Sequence, residues 1–290
     1  MGSNPIGPTT SGSTGRWVLP ADNHVHSQWS HDTGSRASMA AACAQAVELG
    51  IPSVAFTEHL DFTAAADGDA LRESGVAPNA QPGIEPLDVD GYLACVAECR
   101  ERYPALRILT GVEAGEPHLF AGSAAKVLAS GPFDRVLGSQ HTLPRSGRLV
   151  YAGWLFGAVP ADEVMRRYFA EVVALIEGSS LFEVLAHLDY PRRYWPASAG
   201  AYAEEAFEEE YRAVLGALAA SGRVLELNTA SPLASVTLLR WWRQEGGTAV
   251  SFGSDAHRPG HVGERFRLAT DIAAGAGFRP GRDLVDFWRG

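Results

Sequence analysis

Nine histidines occur in this 290-residue chain, and most of them stand in short motifs beside a carboxylate. In chain order the motifs are His24-Val25-His26, Thr57-Glu58-His59, Gly111-Val112-Glu113, Gly138-Ser139-Gln140-His141, Ala186-His187-Leu188-Asp189 and Gly253-Ser254-Asp255-Ala256-His257. Imidazole nitrogen and carboxylate oxygen are the donors that Zn²⁺, Mn²⁺ or Fe²⁺ accept, and no cysteine stands among them. A lone His-x-His pair means little, because a strand-end histidine is more often an ordinary side chain than a ligand. Six motifs in succession are much harder to dismiss. They also offer more donors than one ion needs, so a multinuclear cluster is expected.

Such a cluster needs a scaffold that gathers distant segments. Residues two apart on a strand point to the same side, so His24 and His26 reach one ion if residues 22–26 are extended. Short apolar runs predict strands at 22–26, 53–57, 107–113, 133–138, 181–187, 224–228 and 249–254. Amphipathic segments predict helices at 37–49, 89–102, 121–129, 162–177, 204–221, 233–244 and 264–274. Gly50, Gly178, Gly222 and Gly246 follow helical patterns, as helix C-termini prefer. Repeated β/α alternation implies a parallel sheet, closed or open, and a closed one of this length is a single domain. Ligands gather at the C-terminal rim of such a sheet, which is where the motifs fall. Two segments break the alternation: 63–87, rich in Ala, Asp, Gly and Pro, and 142–160, rich in Gly with Arg145, Arg148, Tyr151, Trp154 and Phe156. Long loops of this kind are often lids or binding loops. Residues 1–20 lack an apolar signal core and read as a disordered tail before one domain over 21–290.

Composition narrows the partners. An apolar content of 46% supports a sizeable core. The net charge of −10, with no basic stripe, disfavours nucleic-acid backbones and anionic membranes. No stretch approaches transmembrane length. Cys43, Cys95 and Cys99 form no disulfide framework, which points to a reducing compartment, the cytoplasm, and to ordinary buried thiols. Oligomeric state is open at this level.

In this order the motifs resemble the PHP (polymerase and histidinol phosphatase) superfamily. The segments FTEHLDF, FDRVLGSQH, HLDYPRRY, LELNT and GSDAH resemble its histidinol-phosphatase branch, over roughly residues 20 to 265. The resemblance implies a distorted (β/α)7 TIM-like barrel and hydrolysis of a small phosphate ester, histidinol phosphate, by metal-activated water. Two to three divalent ions (Zn, Mn or Fe) are the implied cofactors.

Position by position, the resemblance implies a first metal held by His24, His26, Glu113 and Asp255. Glu113 would bridge to a second metal completed by His141 and His187. His59 and His257 would hold a third, with either His31 or Asp32 from the first loop; the family spacing favours Asp32. Glu58 and Asp189 are expected to orient ligand imidazoles through the other ring nitrogen. Glu113, Asp255 and His257 are the implied catalytic residues, the latter two or a metal-bound water being candidates to protonate the leaving group. Arginine recognises phosphate with a planar donor fork, so Arg193 and Arg192, then Arg145 and Arg258, are candidate phosphate contacts. His261 is a candidate substrate contact, and His118 a structural or exposed side chain. Trp154, Phe156 and Asp61 are candidates to receive the imidazole and amine of the substrate. A non-catalytic metal-binding module would have lost several ligands, whereas every motif is filled here.

Overall fold

A computed structural model describes residues 19–62, 86–285 and 287–290. Most of the expected tail (1–18) and most of the 63–87 segment (63–85) lie outside the described residues. One sheet carries eight strands in the order β1 (Asp22–Val25), β2 (Ser53–Leu60), β3 (Arg107–Gly115), β4 (Arg135–Ser139), β7 (Val184–Leu185), β8 (Val224–Asn228), β9 (Ala249–Gly253) and β10 (Trp288–Arg289). All pairings are parallel except that of β10 with β9. Strands such as β2, Ser-Val-Ala-Phe-Thr-Glu-His-Leu, are buried almost throughout, as parallel strands covered on both faces must be. The covering helices are α1 (Met39–Leu49), α2 (Val89–Arg102), α3 (Ala121–Leu128), α4 (Ala161–Gly178), α5 (Glu208–Ala220), α6 (Val236–Gln244) and α7 (Phe266–Gly275). Ser38, Asp88 and Ser235 start α1, α2 and α6 by accepting a hydrogen bond from the backbone of the first turn.

The sheet curls until its first strand meets β9. Val25 bridges Ala256, His26 N donates to Ala256 O at 2.9 Å, and Asp255 N donates to His24 O at 2.7 Å. The buried Asp22 carboxylate reinforces this seam by accepting from Ser254 N at 2.9 Å and Gly263 N at 3.0 Å. Along β9 itself the edge is taken by β10, with Trp288 opposite Val250 and Arg289 opposite Ala249. The barrel is therefore closed at its C-terminal rim and held apart below it. This is the expected distorted barrel, with an antiparallel strand added that the sequence does not announce.

The 142–160 segment is also more ordered than a plain loop. β5 (Thr142–Arg145) and β6 (Arg148–Tyr151) form an antiparallel hairpin. Ser146 and Gly147 both have positive φ, 51° and 73°, the signature of the two-residue turn that matches strand twist. A 3₁₀ turn, Ala152–Leu155, then leads towards α4.

Two large apolar clusters hold the layers together. One packs Tyr168, Phe169, Tyr211, Trp242 and Phe266 of α4 to α7 onto Leu225, Val250 and Phe252. The other packs Met39, Cys43, Tyr92, Val96 and Cys99 of α1 and α2 onto Val54 and Phe56. All three cysteines are free, and Cys43 and Cys99 are buried in this cluster.

Candidate metal centre

Strand register carries the motif residues to one mouth. Residue-by-residue pairing of β2 with β3 sets His59 opposite Glu113. Pairing of β3 with β4 ends at Gly115 opposite Ser139, two residues before His141. The seam between β1 and β9 brings His24 and His26 against Asp255 and His257.

Several overlapping groups of donor atoms result, His59, Asp61 and His141 forming one beside the three that follow. In the first, His24 Nε2 lies 3.1 Å from His26 Nε2, 3.3 Å from Glu113 Oε2 and 3.6 Å from Asp255 Oδ1. His26 Nε2 is 3.4 Å from both of those oxygens. Donors held about 2.1 Å from one tetrahedral ion stand about 3.4 Å apart, so this spacing fits a single cation. In the second group, Glu113 Oε1 is 2.7 Å from His187 Nε2 and 3.2 Å from His141 Nε2. The two oxygens of Glu113 thus face different groups. In the third, Asp32 Oδ2 is 3.0 Å from His257 Nε2 and 3.6 Å from His59 Nε2, which are 3.4 Å apart. Asp32 closes this trio, while the His31 ring sits 5.1 Å from that of His59.

Outer contacts fix which nitrogen each ring presents. His24 Nδ1 donates to Glu226 Oε1 at 2.7 Å. His26 Nδ1 meets Ser30 Oγ at 3.0 Å, and that hydroxyl donates onward to Glu58. His257 Nδ1 donates to the Asp255 carbonyl at 2.9 Å. Each arrangement leaves the Nε2 lone pair for the centre. Asp255 itself has φ of 52°, a left-handed conformation uncommon outside glycine and found at functional sites.

The electrostatics favour cations. Burial alone would raise the Glu113 carboxyl, but His24, His141 and His59 hold it well below the usual range. Burial likewise opposes ionisation of Asp255, and Arg193 and His24 overcome it. Burial pushes His26 and His187 down; at His24, His59, His141 and His257 burial is outweighed by neighbouring carboxylates, which raise those rings, so they would have to give up a proton to a metal. The buried Glu113 Oε2 has no hydrogen-bond partner, an arrangement that costs free energy unless a positive ion serves it. The donor set therefore fits divalent metal.

Above these groups opens a cavity of about 290 Å³, near the lower end of small-molecule sites. Its floor is the donor cluster, and its walls are Tyr151, Trp154, Tyr190, Tyr194 and Arg193.

Comparison with known proteins agrees with this picture. The family profile of the PHP domain matches residues 22–230. This chain belongs to the PHP domain family. A probable histidinol-phosphatase of Clostridium acetobutylicum is 24% identical over 265 residues, covering 89% of this chain and 94% of the relative. The histidinol-phosphatase of Lactococcus lactis is 26% identical over 246 residues, covering 81% and 83%. A crystal structure of histidinol phosphate phosphatase from Lactococcus lactis, complexed with zinc, L-histidinol and phosphate, superposes with a TM-score of 0.75 at 22% identity. It covers 91% of this chain and 95% of that one, and shows the shared fold.

The remaining expected residues divide between the cavity and its surroundings. Arg193 lines the cavity, donating to Asp255 Oδ2 at 2.5 Å, to Asn228 Oδ1 at 3.2 Å and to the Ser231 hydroxyl. Its neighbour Arg192 turns away, pairing with Asp189 and Glu204 over the Tyr202 ring. Asp189 accepts from Arg192 and from Tyr211 OH, so it braces this outer network and orients no ligand imidazole. Glu58 reaches His26 only through Ser30, and otherwise fixes the first loop through Ser27. His261, Arg145 and Arg258 are exposed and do not line the cavity, and Phe156 packs against Trp195. Asp61 and Trp154 do line it. His118 is packed away from the cavity, half-buried, with neither ring nitrogen bonded.

Two buried acids escape the sequence reading. Glu226 holds His24 with one oxygen and the His187 backbone N–H with the other, at 2.7 Å each. Glu116 accepts from the backbone of His141 and Thr142 at 2.7 and 2.8 Å. A carboxylate inside the apolar run Val-Leu-Glu-Leu-Asn was a signal for the first, because a buried acid demands partners.

Proposed function

We propose that this chain hydrolyses histidinol phosphate to histidinol and phosphate, with two to three divalent ions held by His24, His26, Glu113, Asp255, His141, His187, His59, His257 and Asp32. The observation that carries the reading is Glu113, whose two oxygens face separate imidazole groups beneath a cavity walled by an arginine. Bound metal would supply Lewis acidity and a water of lowered pKa. The residues supply the rest. Arg193, steadied from several sides, offers guanidinium N–H groups to phosphate oxygens in a fork that suits them. Tyr151, Trp154, Tyr190 and Tyr194 offer ring faces to an imidazole and shield the floor from bulk water. Asp255 and His257 are poor proton donors to the leaving oxygen. Asp255 is ionised and paired with Arg193, and the His257 Nδ1 proton is given to a backbone carbonyl. Relatives named histidinol-phosphatase support the substrate. A reducing cytoplasm suits the free thiols.

Phosphate release from histidinol phosphate, set against a panel of phosphomonoesters and dinucleotides after defined metal loading, tests the proposal. Preference for histidinol phosphate is the expected result. Turnover of nucleotides alone would reject the substrate while keeping the metal hydrolase.

A further inference from the structure

Strand β8 ends at Asn228, a buried amide whose two ends meet groups of opposite charge. Its Nδ2 donates to Glu226 Oε2 at 3.0 Å and to Asp255 Oδ2 at 3.4 Å. Its Oδ1 accepts from Arg193 Nη2 at 3.2 Å, and from the backbone N–H groups of Ala230 and Ser231 at 3.0 and 3.2 Å. Turned the other way, the amide would set its oxygen against two carboxylates and its nitrogen against a guanidinium, so these neighbours fix its orientation. The two backbone bonds fold residues 228–231 into a tight turn, and that turn brings the Ser231 hydroxyl to Arg193 Nε. Asp255 Oδ2 accepts from Nη2 as well, at 2.5 Å. The hydrogens on Nε and Nη2 are thereby committed, and Nη1 has no hydrogen-bond partner among the described residues. Neither Asn228 nor Ser231 lines the cavity, whereas Arg193 does.

We infer that Asn228 and Ser231 are positioning residues that act through Arg193: their turn fixes the plane of its guanidinium beside Asp255 and leaves Nη1 for a phosphate oxygen. The Asp255 contact alone holds one nitrogen, about which the guanidinium could pivot. The Ser231 hydroxyl holds a second, and Asn228 both accepts from the first and shapes the turn that presents Ser231. A long side chain fixed before the ligand arrives loses less rotamer freedom on binding, and that raises affinity.

The inference rests on the reading of Arg193 as the phosphate contact. Wild type, Asn228→Ala, Ser231→Ala, Arg193→Lys and the two double variants with Arg193→Lys are loaded with Zn²⁺. Binding of inorganic phosphate is measured by calorimetry, beside zinc content per chain. Expected for each alanine variant is phosphate binding weakened about 10-fold at unchanged zinc content. In the Arg193→Lys background each should weaken it by less than about 2-fold more, because no guanidinium remains to be positioned. KM for histidinol phosphate should rise in step with the phosphate Kd, with kcat changed less. Wild-type phosphate affinity in either alanine variant overturns the inference, as do losses that simply multiply with that of Arg193→Lys. A fall in kcat or zinc content with phosphate affinity intact also overturns it, and would place the role of Asn228 at Glu226 and His24 instead. Ser231→Ala, the milder change, decides the matter if Asn228→Ala does not fold. Should Arg193→Lys itself bind phosphate like wild type, the phosphate-site reading fails and the inference falls with it. If phosphate binds in the expected pattern but histidinol phosphate is left intact, the substrate proposal fails and the positioning role stands.

Discussion

Arg193 is a guanidinium held from several sides. Asp255, Asn228 and Ser231 receive its N–H groups, and its carbon lies 5.0 Å over the Tyr190 ring. Lysine keeps the charge and loses both the fork and the stacking. Hydrogen bonds to charged groups contribute about 1.5–3 kcal/mol each, so Arg193→Lys should lower kcat/KM for histidinol phosphate about 10- to 100-fold. Zinc content should stay near wild type, and unchanged kinetics would remove Arg193 from the phosphate site. His118 carries a different prediction. Burial pushes its pKa down to about 4, so the folded protein keeps it neutral. The unfolded chain binds a proton there below roughly pH 6.5. Between about pH 6.5 and 4 the unfolded state therefore holds more protons, and stability falls as pH falls. Urea unfolding of His118→Gln should show a shallower loss across that window than wild type; parallel slopes would rule the effect out.

Neighbouring arginines part company because of the element that carries them. Tyr190–Tyr194 is a 3₁₀ helix, in which successive side chains point about 120° apart. Arg193 enters the cavity and Arg192 joins Asp189 and Glu204 outside it. Sequence spacing marks both arginines as close to the rim, but a turn type set by tertiary packing decides which faces inward. The same limit applies to Asp189. By contrast, strand positions and the residues at their C-terminal ends are legible from apolar runs, since parallel strands have to be buried and their ends have to carry the polar groups. What strand pairing alone determines stays hidden: Glu226 behind His24, Glu116 behind His141, and the antiparallel β10. A tight approach on β9 shows how much that pairing matters. A Cβ on Gly253 would sit 2.1 Å from Glu226 Oε1 and 2.6 Å from His24 Cβ. Gly253→Ala should cost about 1–3 kcal/mol by overpacking and should loosen the first metal position. Thermal unfolding and zinc retention on dialysis measure the two effects, and an alanine variant with both values intact would contradict the close packing.

For the barrel as a body, metal and folding are linked. An ion that binds only the folded state at 100 times its Kd adds about 2.7 kcal/mol. At roughly 2–4 °C per kcal/mol for a chain of this size class, chelation should lower Tm by about 5–10 °C, and zinc should restore it. An unaltered Tm would mean that the centre contributes nothing to the fold. The location of the first donor group gives that link a direction. His24 and His26 come from one side of the seam that closes the cylinder, and Asp255 comes from the other, beside amides that cross it. A cation lodged there works as a rivet through the joint of a hoop. Its departure would free the amides of His26 and Asp255 to exchange with solvent while those between β2 and β3 stay protected, so the cylinder should open first along one predetermined line.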